Sequence, residues 1–231
     1  MMDLDTPAKR TEAAREKALT AAVRRFSTQA YEQVGLRHIA TDSGLDVARV
    51  HRLFGSKEQL FAESVRRAFG DWPSDVTTAP ALVETLIAHL LAPEDRPEGD
   101  PVLLLVRSVS DPHAAPILRA HLEERFLRPM AEIARQGEGS GGTADSADQQ
   151  AALLAACCLG IAMLRAVMGV SALAAPVDPA LTGRITHLLQ SCLAAGANER
   201  AATVPPSATP GMDVPVTGAA PALVGAMGAQ A

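Results

Sequence analysis

The chain has 231 residues, of which 48% are hydrophobic and 20% charged, a composition typical of a soluble globular protein with one large domain or two small ones. Its net charge of −5 is unevenly distributed: residues 1–70 carry 12 Lys and Arg against 9 Asp and Glu, and residues 71–231 carry 9 against 17. A basic first part suits contact with a polyanion, and the acidic remainder does not. The start lacks the basic residues and apolar run of a secretory signal, so we expect a cytoplasmic protein.

The first 35 residues predict one amphipathic helix and the start of another. Thr6 is a suitable N-cap and Pro7 a suitable first residue for a helix whose apolar positions recur at helical spacing as far as Phe26. Gly35 precedes a short second helix. Gly44 can adopt the left-handed conformation that ends a helix at low cost, so the second helix is expected to stop there.

A third helix follows after a short turn. Asp46 is a good N-cap for it, and Val50 and Phe54 form its inward stripe. Ser56 then caps a fourth helix. Two short helices joined by a Gly-containing turn of three or four residues form a helix-turn-helix, here at about 34–54. In such a unit the outer face of the second helix enters the major groove of DNA.

These four helices predict one domain at about 10–70, and the remainder predicts a larger helical domain at about 75–198. The fold class is all-α because no alternating strand pattern is present. Residues 151–164 form an apolar run shorter than the roughly 20 residues of a membrane span, which favours a buried helix and no membrane contact. Residues 199–231 are rich in Ala, Pro and Gly and nearly uncharged, so we expect a disordered tail. The larger domain's helices are expected at 81–90, 101–109, 111–136 with a kink at Pro129, 148–170 and 178–195.

The three cysteines, Cys157, Cys158 and Cys192, show no spacing typical of a metal site. Buried free thiols in a reducing cytosol are the favoured interpretation, and a redox switch is the alternative. His113, His121 and Glu124 likewise lack the spacing of a metal site, so we expect neither a metal nor a cofactor.

Residues 18–61, ALTAAVRRFSTQAYEQVGLRHIATDSGLDVARVHRLFGSKEQLF, resemble the DNA-binding domain of the TetR family of bacterial transcriptional regulators. Ala18 to Phe26 match its first helix, and Ile39, Ala40, Gly44 and Leu45 match its second helix and turn. The pattern F-x-S-K-E-x-L is present from Phe54 to Leu60. Residues 102–113 resemble, less closely, a C-terminal domain of some members.

The sequence departs from the family pattern at four positions, which are Ala30, Gly35, Ala48 and His51. Gly35 removes a hydroxyl that often contacts phosphate, and His51 replaces a common Tyr of the recognition helix. These departures concern which bases are contacted rather than whether DNA is bound.

The resemblance places a set of outward residues against DNA. Arg49 and Arg52 lie on the outer side of the third helix, where they would contact guanine edges or phosphates; two solvated charges are the alternative. His51 would contact phosphate or pack against Phe54. Val47 would cover a thymine methyl or pack at the edge of the core. The expected DNA contacts are Arg37, Val47, Ala48, Arg49, His51, Arg52 and Lys57.

Lys57 and Arg37 are expected to contact phosphate, since each lies at the start of a helix. A surface salt bridge is the alternative for both. In the larger domain Arg107, His121, Met163 and Arg165 are candidates for a ligand pocket, with a structural role as the alternative. Only Phe126 among the aromatic residues lies beyond residue 72, which disfavours flat cationic ligands. Arg107 and Arg165 are flanked by apolar residues, so the expected ligand is largely apolar and neutral or weakly anionic.

The resemblance implies a homodimer, formed by the last two long helices, that binds a near-palindromic double-stranded operator and releases it when a small ligand binds. A constitutive repressor or an activator without a ligand switch is one alternative. A helical enzyme is the other, and the sequence shows no nucleophile–base pairing, phosphate loop or metal spacing to favour it. We therefore expect a DNA-binding regulator and not an enzyme.

Overall fold

The computed structural model describes residues 6–70, 73, 75–92, 99–137, 144–174 and 176–202. Every regular element in these ranges is helical, which confirms the all-α prediction. The α-helices of the described chain are α1 Pro7–Thr28, α2 Leu36–Ser43, α3 Val47–Phe54, α4 Lys57–Phe69, α5 Ala79–Leu90, α6 Pro101–Ser108, α7 Ala114–Leu122, α8 Arg128–Gly137, α9 Ala144–Ala166 and α10 Pro179–Ala202.

The helix ends of the N-terminal unit follow the local sequence. The Thr6 hydroxyl accepts a hydrogen bond from the Lys9 amide at 3.4 Å, and the Asp46 carboxylate accepts one from the Arg49 amide at 2.7 Å. Gly44 has φ +67°, the left-handed conformation that ends α2. These contacts satisfy backbone amides that have no partner inside their own helix, so the predicted caps are confirmed.

Helices α1 to α4 surround a small aromatic core. The Phe61 ring of α4 meets the rings of Phe26 and Tyr31 edge-on, with both centroid distances at 4.9 Å. Val50 and Phe54 of α3 are buried against the same core, as their spacing predicts. Helix α3 is therefore held by one apolar side, and its opposite side faces outward.

The helical segment predicted at 111–136 is divided in the structure. Asp111 caps its start, because the carboxylate accepts hydrogen bonds from the amides of His113 and Ala114 at 2.8 and 3.1 Å. A π-helical turn at Glu123–Leu127 separates α7 from α8, with the Arg128 amide bonded to the carbonyl of Glu123. Pro129 has no amide hydrogen and crowds the preceding turn, so the wider π turn accommodates the proline where a kink was expected.

Helices α9 and α10 differ from the predicted bounds. Helix α9 begins four residues earlier than predicted and ends four residues earlier, before Gly169 at φ +62°. Helix α10 continues to Ala202, so the first four residues of the segment predicted as a tail are helical. The rest of that segment, 203–231, lies outside the described residues, as does most of the loop predicted at 137–146.

The larger unit packs closely on the N-terminal one. Its residues Leu104 and Leu118 are buried in the same cluster as Phe26 and Phe61, so one apolar core crosses the boundary. Gly99, at φ +121°, lies so close to the end of α1 that a Cβ there would approach the Ser27 hydroxyl to 2.6 Å. The start of α6 is therefore fixed to the end of α1 by close backbone approach.

Candidate nucleic-acid interface

Helix α3 has a buried and an exposed side. Val50 is fully buried, whereas Val47 is 39% exposed and His51 and Arg52 are exposed. Arg49 is half-buried, and its guanidinium lies 3.4 Å from the carbonyl oxygen of Arg10 on α1. The described surface of α3 thus presents two arginines, a histidine and the small side chains of Val47 and Ala48 together.

Two arginines of α1, which sequence reasoning missed, hold the helices of the helix-turn-helix in place. Arg15 donates a hydrogen bond to the Leu53 carbonyl of α3 at 2.7 Å, lies 4.6 Å from the Phe54 ring centroid and pairs with Glu63 of α4. It therefore connects α1 to the end of α3 and to α4. Leu53 and Glu63 follow Arg15 by 38 and 48 positions in the chain, so no local sequence pattern reveals these two contacts.

The second of these arginines fixes α2. The Arg25 guanidinium contacts Asp42 with two parallel hydrogen bonds of 2.5 and 2.8 Å. These bonds lower the pKa of the Asp42 carboxyl and raise that of Arg25. The contact sets the position of α2 relative to α1, and through the turn it sets the position of α3.

The start of α2 shows how the chain compensates for Gly35. A hydroxyl at this position would accept from an amide of the first turn, and glycine has none. Instead the Gly35 amide donates to Nδ1 of His38 at 3.2 Å. This is one of the two reciprocal hydrogen bonds of a capping box. Arg37 and His38 are both exposed beside this turn, and His38 was not among the residues singled out from sequence.

Lys57 has a partner within the protein. Its ammonium lies 4.0 Å from the centroid of the Tyr31 ring, and burial lowers its pKa while Asp111 and Glu58 act in the opposite direction. The Tyr31 hydroxyl in turn donates to Glu58 at 3.3 Å, and burial raises the pKa of that phenol. For Lys57 to contact a phosphate, its side chain must rotate away from this ring.

The four residues predicted to line a ligand pocket do not converge. Arg107 donates from Nε to the Ser27 carbonyl at 3.0 Å, at the joint between the two units. Arg165 is buried, and its guanidinium donates to the carbonyls of Leu90 at 2.5 Å and Ala92 at 2.9 Å, at the end of α5. His121 and Met163 occupy two further, separate places.

His121 contacts the rings of Phe69 and Phe126 at centroid distances of 5.5 and 5.8 Å, where α4 meets the π-helical turn. Met163 is 39% exposed on the surface of α9. In the structure Arg107 and Arg165 thus have backbone partners, His121 joins an aromatic cluster and Met163 faces outward.

A cleft of about 250 Å³ lies elsewhere, between α5, α8 and α10. Gln190 supplies the polar side chain of its lining, and no charged residue is included. Sequence reasoning missed the cleft because its walls come from three helices that are far apart in the chain. The lining residues are Ala79, Pro80, Val83, Ile133, Ala134, Gln190, Leu193 and Ala194.

Within the described residues the fold is all-α, and its helix-turn-helix turns His51 and Arg52 of the second helix outward, an arrangement typical of DNA-binding transcriptional regulators. Comparison with sequence models of known families agrees. Residues 18–64 match the model described as bacterial regulatory proteins of the tetR family, and residues 81–193 match the tetracyclin repressor-like C-terminal domain. The chain belongs to the TetR family, whose members bind operator DNA, act as dimers and are in general not enzymes.

Solved structures of such regulators have a similar fold. NalD of Pseudomonas aeruginosa, described as the secondary repressor of the MexAB-OprM multidrug efflux pump, is 18% identical with a TM-score of 0.57, over 79% of this chain and 95% of NalD. A TetR family regulator of Pseudomonas syringae pv. tomato is 19% identical with a TM-score of 0.51, at the same coverage. At these identities the likeness shows the shared fold. No curated protein gives a significant match to the chain.

Replacement of Arg15 by Ala is predicted to loosen the end of α3. The change removes a charged hydrogen bond and an ion pair, and we expect the free energy of unfolding to fall by about 1.5–3 kcal/mol. Urea denaturation measures this. Lys17→Ala is the matched control, because Lys17 is exposed on the same helix. Equal stability of the two variants would contradict the positioning role of Arg15.

Proposed function

We propose that the protein is a cytoplasmic homodimeric repressor that recognises a near-palindromic double-stranded operator through α3 and is released by a small apolar ligand. One observation carries the DNA-binding part of this proposal. Helix α3 buries Val50 and Phe54 and turns His51 and Arg52 outward, which is the arrangement a helix needs to enter a major groove while packed on its own domain.

The contacts divide by chemistry. Arg52, exposed on α3, is assigned to a guanine edge, where a guanidinium forms two hydrogen bonds to O6 and N7. Arg49, held near the Arg10 carbonyl, is assigned to the groove edge. Arg37 and Lys57 are assigned to phosphates. His51 is likewise assigned to a phosphate of the DNA backbone, to which its ring donates a hydrogen bond. Val47 and Ala48 are small enough to let α3 approach thymine methyl groups closely.

An exposed apolar stripe on α9 supports the homodimer. Leu153, Gly160 and Leu164 lie within about 40° of one another around the helix, given about 100° per residue. Leu153 is 54% exposed and Leu164 41%. Such a stripe is costly in water, and a second copy of the chain would cover it by packing its own α9 and α10 against these helices.

Gly160 strengthens this argument. A glycine inside a helix is destabilising by roughly 0.5–1 kcal/mol relative to alanine. Apart from its chain neighbours and the adjacent backbone of α9, no atom of the described residues comes within 4 Å of a Cβ built at Gly160. A closely approaching partner helix would use that space. By length and composition α9 could also cross a membrane, with 22% of its most apolar window buried inside the chain. Because the chain is a DNA-binding regulator, we favour a partner subunit over a membrane as the surface that covers the exposed side of α9.

The cleft between α5, α8 and α10 is the site we propose for the ligand. Its uncharged lining suits a neutral, apolar molecule. The earlier expectation of a weakly anionic ligand depended on Arg107 and Arg165, which both donate to backbone carbonyls. NalD, which shares the fold, is described as a repressor, and this favours repression over activation.

A mobility-shift assay tests the ligand. Neutral apolar compounds such as phenolics are expected to release the protein from DNA, while cationic dyes leave it bound. Replacing Ala134 in the cleft wall by Trp should fill the space and abolish release without weakening DNA binding. The matched control is Ala120→Trp, at an exposed position of α7 outside the cleft and the proposed dimer interface. If no compound releases the DNA, the protein is a constitutive regulator.

Arg52 and Lys57 are predicted to contribute differently to DNA binding, Arg52 to sequence specificity and Lys57 to affinity for any sequence. With DNA selected by the protein from a random pool, Arg52→Ala should weaken binding to the selected sequence by roughly 1–3 kcal/mol more than binding to random DNA. Lys57→Ala should weaken both about equally and make the slope of log affinity against log salt shallower by roughly one. Fluorescence anisotropy at several salt concentrations gives both values.

Arg119→Ala is the control, since this exposed arginine lies on α7, outside both the helix-turn-helix and the proposed dimer interface. Its affinity and salt slope should equal those of the parent protein. Selection of no sequence from the pool would refute the regulator proposal. Equal losses for Arg52→Ala on both DNAs would move Arg52 to the phosphate contacts.

The dimer is predicted to depend on the α9 stripe. Leu153→Glu places a charge in the proposed interface, so we expect the protein to become monomeric and to lose operator affinity. Sedimentation velocity measures the mass. Val109→Glu is the matched control, because Val109 is an equally exposed apolar residue, 50% accessible, at the end of α6. A dimer that survives the first change, or that the second one breaks, would locate the interface elsewhere.

A further inference from the structure

Two cysteines from different helices face each other in the larger unit. Cys157 lies on α9 and Cys192 on α10, and their sulfur atoms are 3.8 Å apart although 35 positions separate them in the chain. Both are reduced in this structure and partly exposed. Both pack against the apolar core that α9 and α10 share. The fold, rather than any sequence spacing, brings these thiols together.

The third cysteine does not share this arrangement. Cys158 follows Cys157 on α9 and therefore points about 100° away from it around the helix. Burial raises the pKa of the Cys158 thiol to about 12 and that of Cys192 to about 11. Both thiols are protonated at neutral pH, so oxidation proceeds slowly there and faster at higher pH.

We propose that Cys157 and Cys192 are a modification site, at which an oxidant such as a peroxide converts the two thiols into a reversible intrachain disulfide between α9 and α10. In the first step one sulfur attacks a peroxide oxygen, the O–O bond breaks, and a sulfenic acid and water form. In the second step the other sulfur attacks the sulfenic sulfur. The S–S bond forms, the S–O bond breaks, and a second water leaves.

The geometry requires only a small adjustment. A disulfide has an S–S distance of about 2.05 Å, so the sulfurs must approach by less than about 2 Å. Rotation of the two side chains and a slight shift of the helices achieve this. The bond would then fix α10 to α9 at Cys192, which lies between Gln190 and Leu193 of the proposed ligand cleft.

The full chain tests the site directly. The reduced protein is treated with hydrogen peroxide or with diamide, and free thiols are then counted under denaturing conditions. We expect three thiols per chain to fall to one, with the loss reversed by dithiothreitol. After trypsin, mass spectrometry should show the peptide that ends at Arg165 joined to the peptide that begins at Ile185.

Cysteine variants give the matched controls. Cys158→Ser should still form the bond, whereas Cys157→Ser and Cys192→Ser should not. In the parent protein the bond closes a long loop and should raise the midpoint of thermal unfolding by roughly 5 °C or more. No bond, a bond from Cys158, a bond between two chains, or a bond that forms only in denatured protein would each overturn the proposal.

The effect on DNA is a second measurement, and it rests on the proposed function. If α9 and α10 form the dimer and the ligand cleft, fixing them together should weaken operator affinity by about fivefold or more. Cys192→Ser should show no change on oxidation. A disulfide that forms without altering DNA affinity would overturn this link to regulation while the modification site itself stands. Absence of DNA binding in the reduced protein would instead refute the proposed function.

Discussion

Phe54 is buried at the end of α3, between the α1–α4 core and the guanidinium of Arg15, and the orientation of α3 depends on it. With Val50 it forms an apolar side that α3 can bury in one way only. That burial removes apolar surface from water, which contributes roughly 1.5–3 kcal/mol for each such side chain. Because the inward side is fixed, the outward side that presents His51 and Arg52 is fixed as well, and Arg15 holds the end of the same helix.

The same core connects DNA binding to the rest of the molecule. Leu104 of α6 and Leu118 of α7 pack into the cluster that contains Phe26 and Phe61, and Arg107 bonds to the backbone of Ser27. Close-packed protein interiors have low compressibility and transmit strain. We therefore expect a shift in the larger unit to reach α1, which holds α2 and α3 through Arg25 and Arg15.

Helix α9 has two apolar sides that serve different purposes. One side packs in its own core, where Leu154 is fully buried, and the other exposes Leu153 and Leu164. A helix of this kind is stable only when both sides are covered, so folding and dimer formation are expected to be linked. The cysteine pair lies on the inward side, between α9 and α10, where a covalent bond would act on both at once.

Local chemistry let the sequence determine the helices, their caps at Thr6 and Asp46, the left-handed turn at Gly44 and the inward stripe of α3. Each of these depends on residues within one or two helical turns of each other. The family, and with it the exposure of Arg37, His51 and Arg52, was predictable for the same reason, since the motif is short and continuous.

Partner choices between distant residues were decided only by the tertiary structure. Arg107 and Arg165, predicted to face a ligand, bind backbone carbonyls more than 70 positions away, and Lys57 lies over Tyr31. The cleft and the cysteine pair likewise arise where α5, α8, α9 and α10 meet. A long cationic side chain has many polar groups within reach, and which of them it meets depends on helix packing that periodicity leaves undetermined.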